Sequence, residues 1–154
     1  MANTLKLLIP PPIVALSCGL GMWGIASVWP AFILSFPYQS VVAYSLIAVG
    51  LTIDLVAVLA FRKARTTVTP LAPEKASSLV VDGLYRFTRN PMYLGMLFIL
   101  TGIAALLGSP ANVLILLAFV TYITEFQIKP EETRLEDIFG MEFQQYRQQV
   151  RRWL

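Results

Sequence analysis

The sequence predicts an all-α membrane protein: a polytopic bundle of about four transmembrane helices with a cytoplasmic, amphipathic, helical C-terminal segment. Composition is the first indication, since 56% of the 154 residues are hydrophobic and 14% are charged, against roughly 45–50% and about 25% in a soluble domain. Mean hydropathy is +0.66. The second is the placement of charge: there is none from Leu7 to Ile53 and none from Asn90 to Thr124, and a membrane span needs about 20 apolar residues. The third is punctuation by Pro, Gly and interfacial aromatics, which cuts these long runs into span-sized pieces.

The elements follow in order within one membrane domain, residues 1–154. Span one covers about 12–29. Three prolines, Pro10 to Pro12, open it and Trp29-Pro30 closes it, because proline lacks a backbone donor and tryptophan favours the interface. Lys6 makes a thin positive flank, and with no small-residue cleavage pattern before a soluble domain the segment is read as a permanent span. Ala15, Ser17, Gly19 and Gly21 allow another helix to approach closely. Span two, about 38–61, follows Phe36-Pro37 and stops at Arg62, Lys63 and Arg65. It holds Asp54, an acid roughly 12 Å below Arg62 at 1.5 Å per residue, which is either a functional group or an inward-facing residue with a polar partner.

Residues 62–91 form a loop, with a short helix expected around Glu74 to Leu79. Span three, about 92–107, begins after Pro91, a good first-turn residue. Gly108-Ser109-Pro110 turns the chain into span four, about 111–128, so the two spans should pair as a hairpin. Beyond it, Pro130 followed by Glu131 and Glu132 marks a new helix start and Gly140 its end. A second helix from Met141 to about Arg152 puts Phe143, Tyr146 and Val150 on one face, to lie on the membrane or over the mouth of the bundle. The turns near Pro30 and Ser109 carry no charge, whereas the 62–91 loop and the tail carry nearly all the Lys and Arg. The positive-inside rule then sets both termini in the cytoplasm, in a bacterial inner membrane.

Composition also excludes functions. The chain has no histidine and a single cysteine, Cys18, so imidazole catalysis is ruled out and no metal site is expected. The net charge of +3 lies in short loops beside apolar runs, which reads as topology and lipid contact and not as nucleic-acid binding.

Two charged clusters should meet if spans three and four form a hairpin: Arg86 and Arg89 at the start of one, Glu131 and Glu132 just past the end of the other. A guanidinium beside a carboxylate suits a zwitterion such as an amino-acid moiety. It also suits an ordinary interfacial salt bridge.

The run Gly83-Leu84-Tyr85-Arg86, then Arg89-Asn90-Pro91-Met92-Tyr93-Leu94-Gly95, then Glu131-Glu132 with Leu135, Phe139-Gly140, Tyr146 and Val150-Arg151 resembles the isoprenylcysteine carboxyl methyltransferase and phospholipid methyltransferase superfamily. The resemblance covers about Val80 to Trp153. It implies an integral membrane methyltransferase using S-adenosylmethionine at the cytoplasmic mouth of the bundle, acting on a lipid or lipophilic small molecule that enters from the bilayer. By the same resemblance Tyr85, Arg89, Pro91, Tyr93, Gly95, Gly102, Glu131, Glu132 and Tyr146 line the cofactor site, while Arg89, Asn90, Glu132 and Arg151 serve the reaction. Gly95 and Gly102 share a face that either admits the cofactor or packs a helix. The carboxyl methyltransferase branch usually reads Arg-His-Pro where this chain reads Arg89-Asn90-Pro91. Asparagine can donate a hydrogen bond but takes no proton at neutral pH, so this position is not a general base, and the acceptor class stays open.

Three rival functions fit the same composition: a four-span transporter using Asp54, an NADPH-dependent reductase of the related sterol reductase group, and a non-catalytic assembly subunit. Oligomeric state is not readable from the sequence.

Overall fold

The computed structural model describes residues 9–30, 33–64 and 78–154. Among them the chain is entirely helix, turn and extended connection, with no strand. The elements are α1 (Pro11–Val28), α2 (Gln39–Lys63), a 3₁₀ turn (Gly83–Arg86), α3 (Pro91–Leu107), α4 (Asn112–Ile123), a π-helical turn (Thr124–Ile128), α5 (Lys129–Phe139) and α6 (Met141–Gln149). The polytopic helical bundle expected from composition is the fold observed. The short helix expected around Glu74 lies outside the described residues, apart from Ser78 and Leu79, which are not helical.

Pro11 and Pro91 occupy the first turns of α1 and α3, where a missing N–H costs nothing. α3 ends at Gly108, whose φ of 65° is the left-handed conformation that glycine adopts without strain. That turn is tied to the α1–α2 connection, with the Leu34 N–H donating to Gly108 O at 2.8 Å and Gln39 Nε2 to Ala105 O at 2.7 Å.

α1, α2 and the continuous helical run Asn112–Phe139 are long and apolar enough to cross a membrane; α3 is shorter, at 17 residues. We read the apolar part of the run as ending at Ile128, so that α5, rich in Glu, Lys and Arg, lies beyond the span. Leu16, Leu20 and Trp23 of α1, Leu51 and Leu55 of α2, and Leu114 and Leu117 of α4 are all exposed, as a surface facing lipid requires. The interior is built on Met22, Tyr93, Leu100, Phe119, Ile123 and Ile128.

Two boundaries differ from expectation. Pro130 does not begin a separate helix: the chain runs from α4 to α5 without a break. Proline has no N–H to give and crowds the carbonyl one turn back, and the wider π turn lies there, so the helix passes the proline without ending. Glu131 and Glu132 are therefore carried on a direct extension of the fourth span. At the other end, α6 stops at Gln149 instead of Arg152, and Val150 is extended, with φ −120° and ψ 132°. Residues 150–153 form a strap.

α3 lies in the middle of the bundle, packed on α2 most extensively and also on α1 and α4. Its approach to α2 depends on glycine. A Cβ on Gly102 would lie 2.6 Å from Ile47 Cγ1 and 2.7 Å from Ala43 O; one on Gly95 would lie 2.7 Å from Asp54 Cγ and 2.8 Å from Gly50 O. Gly102→Leu should therefore force the two helices apart, at about 1–3 kcal/mol for overpacking. The check is a lowered midpoint of thermal unfolding in detergent.

Candidate ligand site at the charged end of the bundle

The charged end is assembled by three chain segments that are remote in sequence. Residues 87–90 lead into α3, α5 extends the fourth span past them, and the strap crosses between. The Arg89 N–H donates to Arg151 O at 3.0 Å. Its guanidinium reaches three acceptors: Nη1 donates to Arg147 O at 2.9 Å and Val150 O at 2.7 Å, and Nη2 to Glu132 Oε1 at 2.7 Å. Arg152 grips the same carboxylate from the other side, through Nε to Oε1 at 2.9 Å and Nη2 to Oε2 at 2.7 Å. The Arg89 and Glu132 side chains are only 9% and 10% exposed. Burial pushes the Glu132 carboxyl up, but the hydrogen bonds and charges of Arg152 and Arg89 outweigh it and hold the group below the ordinary carboxylate range. Glu132 is an anion already neutralised by two cations.

Glu131, one residue earlier, is different. Tyr93 Oη donates to its Oε2 at 3.1 Å, and no cation among the described residues forms an ion pair with it. Burial pushes its carboxyl up to about 7; the Tyr93 hydrogen bond pulls down and the Glu132 charge pushes up further.

Both glutamates line a cavity of about 190 Å³, together with Tyr85, Arg89, Asn90, Pro91, Tyr93 and Tyr146. Its remaining wall is mostly apolar: Pro11 and Pro12 from α1, Phe61 from α2, Leu79 and Val80 before the 3₁₀ turn, Met92 and Met96 from α3, Ile128, Leu135 and Phe143. Phe143, Tyr146 and Val150 bury one face, packed by Leu79, Leu135 and Phe139, so α6 covers the mouth of the bundle. Tyr146 Oη donates to Tyr85 O at 2.7 Å, fastening that cover to the 3₁₀ turn. The arrangement can hold a ligand with a cationic group against Glu131 and an apolar or aromatic body against the walls.

The sequence-predicted residues divide accordingly. Tyr85, Arg89, Asn90, Pro91, Tyr93, Glu131, Glu132 and Tyr146 share the cavity wall. Gly95 and Gly102 do not line it; they face α2, the helix-packing alternative. Arg151 is exposed and lines no wall, and its neighbour Arg152 makes the ion pair. Asp54 also lies off the cavity, with Oδ1 buried against Gly95 and without a hydrogen-bond partner among the described residues. Sequence reading missed Arg152, Thr88 and the apolar wall. Arg152 would have emerged had the tail been read as extended, since extended backbone turns successive side chains to opposite sides.

The family model for phospholipid methyltransferases matches residues 38–142. An uncharacterised protein of Haemophilus influenzae is 46% identical over 63 residues, covering 41% of this chain and all of that protein. A probable protein-S-isoprenylcysteine O-methyltransferase of Oryza sativa subsp. japonica is 29% identical over 116 residues, covering 73% of this chain and 59% of the relative. The protein-S-isoprenylcysteine O-methyltransferase of Schizosaccharomyces pombe is 33% identical over 72 residues, covering 47% and 30%. The matches thus span less than two thirds of either methyltransferase. No solved structure matches the chain.

Proposed function

We propose that this chain, which belongs to the phospholipid methyltransferase family, transfers a methyl group from S-adenosylmethionine to a lipophilic acceptor at the cytoplasmic face of the membrane. The observation that carries the reading is the part-buried carboxylate of Glu131, which lines the apolar cavity and pairs with no protein cation among the described residues. The donor set fits the cofactor. An amino-acid ammonium suits Glu131, and an adenosine moiety suits walls built from Phe61, Tyr85, Met92 and Phe143. When bound, the cofactor supplies a methyl group already activated on a sulfonium.

The chain's own residues bind, orient and exclude water. Tyr93 fixes the Glu131 carboxylate by donating to one oxygen and leaves the other to the ligand. Phe143 and Tyr146, on the cover, shield the cavity from water, which strengthens charge pairing inside it. Asn90 takes no proton. A carboxylate acceptor is already anionic and needs no base, whereas an ammonium acceptor must first lose a proton. In this reading the site lies at the cytoplasmic face of a bacterial inner membrane, and the positively charged loops beside it support the cytoplasmic orientation.

The test is transfer of labelled methyl from S-adenosylmethionine by the purified protein in detergent. A prenylated cysteine analogue and a total lipid extract serve as separate acceptors. Label in either supports the reading and names the acceptor class; label in neither, with the protein folded, contradicts it.

A further inference from the structure

We infer that Arg152 is a positioning residue of the methyl-donor site, acting through Glu132 and Arg89 without lining the cavity itself. The inference rests on the methyl-donor reading above. Glu132 has two carboxylate oxygens and receives three hydrogen bonds from two guanidinium groups. Arg152 takes both oxygens and shares Oε1 with Arg89. Because that bidentate grip occupies the carboxylate, Arg89 can offer it only Nη2. Its Nη1 is directed to the carbonyls of Arg147 and Val150, at 2.9 and 2.7 Å. The arrangement of Arg89 in the cavity wall is thus set by competition for Glu132. Without the Arg152 guanidinium, Glu132 can turn and take Arg89 in a two-point pair of its own, moving both side chains out of the wall they now form.

Arg152 is itself held in register. Its carbonyl accepts from Asn90 Nδ2 at 2.9 Å and Thr88 Oγ1 at 3.3 Å, and the next residue, Trp153, donates its indole N–H to Thr124 Oγ1 at 3.1 Å. The Asn90 side chain is therefore a staple for the strap. The strap brings a fixed cation to the outer side of Glu132 while Glu131 meets the ligand on the inner side.

The test compares Arg152→Gln and Arg152→Lys with the unmutated protein, each titrated calorimetrically with S-adenosylhomocysteine in detergent. A purely structural role would lower the stoichiometry, because fewer molecules are folded, and leave Kd unchanged. Positioning predicts near-normal stoichiometry with Kd raised at least tenfold in Arg152→Gln. Arg152→Lys, which keeps the charge but loses the two-point geometry, should fall between. Kd unchanged in Arg152→Gln, at any stoichiometry, overturns the assignment. No binding by the unmutated protein overturns the methyl-donor reading and this inference with it.

Discussion

Arg89→Ala is expected to disable the charged end of the bundle more severely than any other single truncation. It removes the ion pair to Glu132 and the two bonds that tie the guanidinium to the carbonyls of Arg147 and Val150. Breaking a buried pair by deleting one partner costs about 3–5 kcal/mol, because the other charge is left poorly compensated. Arg152 still holds Glu132, so the lower part of that range is the better expectation. The loss should concentrate in the strap and α6, where backbone amides that resist hydrogen exchange in the parent should exchange rapidly in the variant. Amides of α2 and α3 should remain protected. Unchanged protection in α6 would show that Arg89 does not hold the cover in place.

Glu131→Gln acts on the ligand instead of the scaffold. The substitution keeps the shape and keeps an oxygen to accept from Tyr93, so the thermal midpoint should hardly move. Removing one partner of a buried charge pair at a binding site costs about 2 kcal/mol or more, roughly 30-fold in affinity. The pH dependence separates this from a packing effect. The Glu131 carboxyl, raised by burial to about 7, is an anion above that pH and neutral below it. A cationic ligand group needs the anion, so affinity should be flat above pH 7 and fall by up to about tenfold per pH unit below it. The Glu131→Gln variant should bind weakly with no step near pH 7. A step that persisted in the variant would assign the titration elsewhere.

Much of the fold was legible because hydropathy and charge act over whole segments. The uncharged runs set the spans, and the prolines and Gly108 set ends that the structure keeps within one or two residues. The hairpin of the third and fourth spans brought Arg86 and Arg89 to Glu131 and Glu132; Arg89 does meet Glu132, whereas Arg86 is exposed and lines no cavity wall. What failed were inferences in which local spacing must decide between neighbours. Gly95 and Gly102 do share a face, but spacing cannot say whether a ligand or α2 covers it. Val150 continues the helical spacing of Phe143 and Tyr146, yet its backbone is extended; the family resemblance pointed to Arg151, whereas its neighbour Arg152 holds Glu132. Pro130 followed by two acids reads as a helix start, because a π turn that carries the helix past a proline has no plain signature in sequence.

The most direct test of the central claim is calorimetric titration of the purified, unmutated protein in detergent with S-adenosylhomocysteine, paired with an identical titration with NADPH. Saturable binding of one S-adenosylhomocysteine per chain and no binding of NADPH is the predicted result. Binding of NADPH without S-adenosylhomocysteine, or of neither, would contradict a methyl-donor site built on Glu131.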